Sequence, residues 1–153
     1  MVILVILPRS SSSNMSCEGF LSRDVVKFTD LINFCADSDR LRSYLINCGL
    51  LRDYSGACES CSEGTVSLNK DGESWFWRCG KRSCRKKIGL RKGSFFEDSR
   101  LSFKTILCLI HAFIYRLPYD FVKLELDIGS NHTVVDWFNF CREVCLDSEF
   151  FGG

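Results

Sequence analysis

A chain of 153 residues, 46% hydrophobic and 25% charged, has the composition of a globular protein with one or two small domains. Its formal net charge of +1 argues for no particular partner. The apolar start, Val2 to Leu7 ended by Pro8, is too short for a signal-peptide core or a bilayer span and has no basic residue before it, which sets aside export and a membrane partner.

Residues 1–20 read as a disordered or non-native N-terminus. Ser10 to Ser13 with Asn14 form a low-complexity linker, and Met15 serves equally well as a start. Without export the ten cysteines belong to a reducing compartment, which favours metal binding over disulfides. From Arg23 the pattern turns helical, with Phe28, Leu31, Ile32 and Cys35 at i, i+3, i+4 and i+7. A second helix follows, with Ser38 as its N-cap, a stripe of Leu41, Tyr44, Leu45 and Cys48, and Gly49 as its stop. The two predict a helical hairpin over 21–52, its apolar stripes used for packing.

Residues 53–97 hold the most specific signal. Cys58-x2-Cys61 and Cys79-x4-Cys84 are two knuckles separated by 17 residues, spaced as the ligands of a structural zinc site. Four residues inside the second knuckle are more than the commoner two but within the usual range. A disulfide or plain buried thiols are the competing explanations. Between the knuckles, Thr65 to Leu68 is β-prone, Asn69-Lys70-Asp71-Gly72 is turn chemistry, and Ser74 to Arg78 is a return strand. The pattern is that of a zinc ribbon. Cys17, Cys35, Cys48, Cys108, Cys141 and Cys145 look like small core residues. Cys141 and Cys145, four apart, allow a second metal site with His111 or His132, although packing explains them as well.

After the second knuckle, Ile88 and Leu90 alternate with basic or small neighbours, which predicts a third ribbon strand. Lys81, Arg82, Arg85, Lys86, Lys87, Arg91 and Lys92 are seven basic residues in a stretch with no acidic one. The net charge is −3 over residues 1–77, +8 over 78–104 and −4 over 105–153. Such a cluster favours a polyanion with salt-sensitive affinity; a solvated strand face is the plainer alternative.

Gly93-Ser94-Phe95-Phe96 reads as a turn into an aromatic plug. Residues 98–147 then read as three helices: Phe103 to Tyr115, a short one capped by Asp120 and reaching Leu126, and one capped by Ser130 and reaching Cys145, before a tail at 148–153. Helix, turn at Asp127-Ile128-Gly129, helix is helix-turn-helix geometry. Val134, Trp137, Phe138, Cys141 and Cys145 form the inner stripe of the last helix. That leaves Asn131, His132, Thr133 and Asp136 near its start, where a recognition helix meets bases. The predicted fold class is α+β, mostly helical, a zinc ribbon flanked by a helical hairpin and a helix-turn-helix.

Four local patterns occur in one order: Cys58-x2-Cys61, the run Trp77-Arg78-Cys79 continuing to Cys84, Arg91-Lys92-Gly93-Ser94-Phe95-Phe96, and Thr133 through Trp137-Phe138-Asn139-Phe140 to Cys145. Together, from about Phe28 to Cys145, they resemble Merlin-type transposases, cut-and-paste DNA transposases related to a group of bacterial insertion sequences. The resemblance implies Cys58, Cys61, Cys79 and Cys84 as zinc ligands and Ser130 to Cys145 as the recognition helix. It also implies a transposon-end duplex as partner, self-association and a nuclear location. In that family an RNase H-like domain with three metal-binding acids follows. The 60 residues after Gly93 read as helices rather than its strands, and Asp120, Asp127, Asp136, Glu143 and Asp147 read as caps or solvated surface. No catalytic residues are therefore assigned, and the expectation is a non-enzymatic, Zn2+-dependent DNA-binding module. A zinc-ribbon protein-interaction module, displaying Trp75, Phe76, Trp77, Phe95 and Phe96, is the alternative.

Overall fold

Hydrophobic periodicity changes from helical to alternating and back along the chain, and the secondary structure follows it. The computed structural model describes residues 27–151. The predicted linker, Cys17, the helical onset at Arg23 and the last two residues of the tail lie outside the described residues. The elements are α1 (Phe28–Cys35), α2 (Ser38–Asn47), β1 (Gly56–Ala57), β2 (Thr65–Asp71), β3 (Ser74–Cys79), β4 (Lys87–Gly89), α3 (Phe103–Ile114), α4 (Tyr119–Glu125) and α5 (Asn131–Phe151). Among the described residues the fold is α+β, with five helices and a four-stranded antiparallel sheet in the order β1-β2-β3-β4.

The chain divides into two compact units. One is Leu45–Ser99; the other combines the residues up to Tyr44 with those from Arg100 onward. The boundary falls inside α2, so the segment read as one helical hairpin is shared between them. α1 packs on α3 in the helical unit.

In that unit α3 is buried without interruption from Ile106 to Ala112. A helix apolar on every side belongs at the centre of its unit. Leu109, Ala112, Val122, Ile128, Val134 and Phe138 form the core, drawn from α3, α4, α5 and the turn between the last two. His111, also buried, lies between the rings of Phe28 and Tyr115 at centroid distances of 5.4 and 4.4 Å. Two predicted caps move. Asp37, not Ser38, caps α2, its Oδ1 accepting from the N–H of Asp39 and Arg40 at 3.1 and 3.0 Å. Asp120 lies in the first turn of α4, whose N-cap is Pro118 and has no side-chain cap bond. The Ser102 hydroxyl caps α3 by accepting from Thr105 N–H. α3 and α4 end through Arg116 and Asp127 at φ +54° and +50°, with Leu117 N–H donating to Ala112 O and Ile128 N–H to Lys123 O, the six-to-one closure usually served by glycine.

In the other unit, Gly49 at φ +74° ends α2, and the N–H groups of Leu50 and Leu51 both reach Leu45 O at 3.0 Å. β2 runs past the predicted turn to Asp71, because Asn69 and Lys70 pair with Phe76 and Trp75. The hairpin closes with Gly72-Glu73 alone, Gly72 at φ +59°. Alternation puts Val66, Leu68, Trp77, Cys79 and Ile88 into one cluster with Cys58, leaving Ser67, Asn69, Phe76, Arg78 and Lys87 on the opposite face.

Leu109→Ala removes a fully buried side chain from the helical core. It should cost about 2–5 kcal/mol in urea unfolding followed by circular dichroism. A loss below about 1 kcal/mol would contradict this core.

Candidate metal centre

Cys58 lies just after β1, Cys61 one turn later, Cys79 at the last position of β3, and Cys84 in the loop to β4. The first knuckle is folded by Ser62 N–H donating to Cys58 O at 2.7 Å, with Ser62 at φ +57°. The second is folded by the N–H groups of Cys84 and Arg85 donating to Lys81 O, with Arg85 at φ +46°. The sheet then brings the knuckles together. Val66 pairs with both Gly56 and Cys79, so β2 carries one knuckle on each flank. A Lys81–Glu63 ion pair joins the loops.

The four Sγ atoms all lie within 4.8 Å of one another. Cys58 and Cys84 sulfurs are 3.9 Å apart, and those of Cys61 and Cys79 3.8 Å. Tetrahedral thiolates about 2.3 Å from a metal are separated by about 3.8 Å, so the group can hold a metal ion such as zinc. All four are free thiols, two buried and two half-buried. The disulfide explanation does not describe this arrangement.

Four thiols at this spacing repel one another once ionised, and the pKa directions show the conflict. Cys61 lies below the ordinary thiol range, chiefly because Gly64 N–H donates to its sulfur at 3.4 Å. Cys79 receives a lowering contribution from the Lys81 backbone, but burial and the other three cysteines push it up to about 12. A divalent cation at the centre would relieve the conflict by bonding all four sulfurs and offsetting two of their four charges.

Gly64 was not singled out from the sequence. Its N–H orients Cys61, its carbonyl accepts from Cys58 N–H at 2.8 Å, and a Cβ there would stand 2.2 Å from Cys79 Sγ. The sole sequence signal is a glycine three residues beyond Cys61. The second metal set is not assembled. Among the described residues Cys58, Cys61, Cys79 and Cys84 are the one group of this kind, His111 being held between rings and His132 exposed at the start of α5.

The seven basic residues are sorted by their contacts. Lys81 is held by Glu63 and Lys92 by Glu97. Their bond raises the Lys92 pKa and lowers that of Glu97. Arg91 is half-buried and donates to Ser99 O at 2.8 Å, with burial lowering its pKa. Arg82, Arg85, Lys86 and Lys87 are exposed, and Lys87 Nζ lies 4.5 Å from the Phe76 ring centroid. At α5, Asn131 and His132 are exposed and Thr133 is half-buried.

The five aromatics do not form one exposed patch. Trp77 is 4% exposed, because it packs with Cys58 and Cys79, and Phe96 is fully buried. Trp75 and Phe76 point to opposite sheet faces. No described helix is long and apolar enough to cross a membrane. The chain matches no protein-family model, no curated protein and no solved structure among those compared.

Gly64→Ala should lower metal affinity about 10–100-fold in competition with a chromophoric chelator, since the new methyl displaces a ligand sulfur and its orienting N–H. Unchanged affinity would mean that Gly64 has no part in shaping the centre.

Proposed function

We propose that this chain is a zinc-dependent DNA-binding module, with Cys58, Cys61, Cys79 and Cys84 as the Zn2+ ligands of a ribbon. The convergence of four sulfurs from two turns onto a small sheet supports the ribbon reading. The observation that carries the DNA reading is the exposure of Arg82, Arg85, Lys86 and Lys87 beside that centre, while Lys81, Arg91 and Lys92 are occupied by Glu63, Ser99 and Glu97. A metal-ordered loop holds cations in place before the ligand arrives, so less ordering is lost when phosphates bind.

The α4-turn-α5 sequence supports a helix-turn-helix reading, and to Asn131, His132 and Thr133, at the start of α5, that reading assigns the base-edge contacts. Net charge over residues 105–153 is −4, which repels phosphates, so affinity is assigned to the sheet unit and sequence preference to the helical one. A transposon-end duplex, self-association and a nuclear location follow from the resemblance to Merlin-type transposases and are proposed on that basis. No catalytic step is assigned. Asp120, Asp127, Asp136 and Glu143 are exposed and do not gather into a metal-binding group among the described residues.

The test is anisotropy of a labelled duplex across a salt series, with and without a chelator. Affinity should fall steeply with salt and vanish with the chelator. Replacing Arg82 and Lys86 by Ala and Arg85 by Gly should reduce the salt slope by about 3 and weaken all sequences alike. Glycine suits the positive φ of residue 85, so this variant removes charge without adding strain. Lys92→Met, losing an ammonium already engaged by Glu97, should change affinity by less than about threefold. No duplex binding by the folded, zinc-loaded chain at low salt would refute the proposal.

A further inference from the structure

The open face of the sheet points to a second mode of nucleic-acid contact. We infer that Phe76 is a stacking platform for one base of a single-stranded nucleic acid, with Arg78 and Lys87 holding the flanking phosphates. This rests on the nucleic-acid reading above and specifies a strand state that the basic loop alone does not.

Phe76 projects from the middle of β3 on the face opposite the metal-side cluster, and it is half-buried without being part of that cluster. Its pairing partners are Asn69 on β2 and Gly89 on β4. Gly89 contributes no side chain, and a Cβ placed there would meet nothing within 4 Å. On the Gly89 side, therefore, the pairing partner places no side chain against the ring, and the Lys87 ammonium reaches over it. On the other, the Asn69 amide is fixed by donating to Ser67 O at 2.8 Å.

Charge on this face is graded. Arg78 pairs directly with Lys87, placing two cations side by side next to the ring. Like charges directly opposite in a sheet are destabilising unless an anion lies between them. Asp71, also on this face, is at the hairpin tip opposite Ser74, about 7 Å along the strand from Asn69, and Glu73 is in the turn beyond. A backbone entering from the Arg78–Lys87 side meets cations and then a ring, and it stops short of the carboxylates. Planar aromatic plus paired cations is the chemistry that recognises a stacked base with its phosphates.

Lys87 now covers the ring. An exposed cation–ring contact is worth about a 2–5-fold preference, whereas base stacking on an aromatic is worth about 5–150-fold. A base therefore displaces the ammonium, which moves to a phosphate.

The experiment is anisotropy of labelled oligothymidine with the zinc-loaded chain at low salt. Phe76→Ala should weaken binding about 5–150-fold. Phe76→Trp should retain it and add an emission component that oligothymidine quenches, with zinc content and circular dichroism verifying both folds. Single-strand binding within twofold of wild type for Phe76→Ala overturns the inference, and so does a loss in Phe76→Trp as large as in Phe76→Ala. If the unaltered chain binds duplex but not oligothymidine, only this inference falls. If it binds neither, the DNA-binding proposal falls with it.

Discussion

The knuckle loops and the sheet of the Leu45–Ser99 unit are arranged around four sulfurs that converge. Its sheet has strands of two, seven, six and three residues. Two of the four buried residues in the cluster beside the sulfurs, Cys58 and Cys79, are thiols. An apolar cluster this small beside the knuckle loops gains from a staple. The sulfur spacing supplies one when a metal binds, since the binding free energy then becomes folding free energy. The same demand explains the local details. Two non-glycine residues, Ser62 and Arg85, adopt positive φ to aim the knuckles, and Gly64 stays bare because Cys79 Sγ occupies the space of its missing methyl.

The helical unit solves its stability differently. Leu109, Val122, Val134 and Phe138 form a core of aliphatic and aromatic side chains, and three of its cysteines behave as small hydrophobes. Cys35, Cys108 and Cys141 are buried, and burial is the main cause raising their thiol pKa values, to about 12, 11 and 11. None of the three belongs to a group of metal-ligating side chains among the described residues. One chain thus uses cysteine in two ways. Turns and backbone N–H groups gather Cys58, Cys61, Cys79 and Cys84, whereas Cys35, Cys108 and Cys141 are buried as core.

Much of this was legible in the sequence, and the limits have physical causes. Cysteine spacing located the centre, the β-prone and aromatic runs on either side of the turn residues located β2 and β3, and the alternation at Ile88 located β4. β1 is two residues long and has no period to show. The ends of α3 and α4 were legible at Tyr115 and Leu126, but the positive φ of Arg116 and Asp127 was not, because their closing bonds form without the glycine that normally signals them. Ser38 and Asp37 are equally good capping types, so only backbone geometry decides between them. The basic run looked uniform because composition counts charges and not partners. Glu63 and Glu97, which occupy two of those lysines, lie outside the run.

The metal centre and the open sheet face are connected through β3. Side chains on a strand alternate with period two, so the position of one residue decides the face of all the others. Cys79 ends β3 and must point its sulfur toward Cys61. That requirement sends Trp77 inward beside the thiols and Phe76 and Arg78 outward. Pairing then sets Lys87 opposite Arg78 and Gly89 opposite Phe76. A slip of one residue would bury a cation beside the centre and expose the tryptophan, at the full cost of desolvating an unpaired charge. Ligand geometry thereby holds the aromatic and the two cations on one surface. The chemistry of that face is fixed by four converging sulfurs that take no direct part in it.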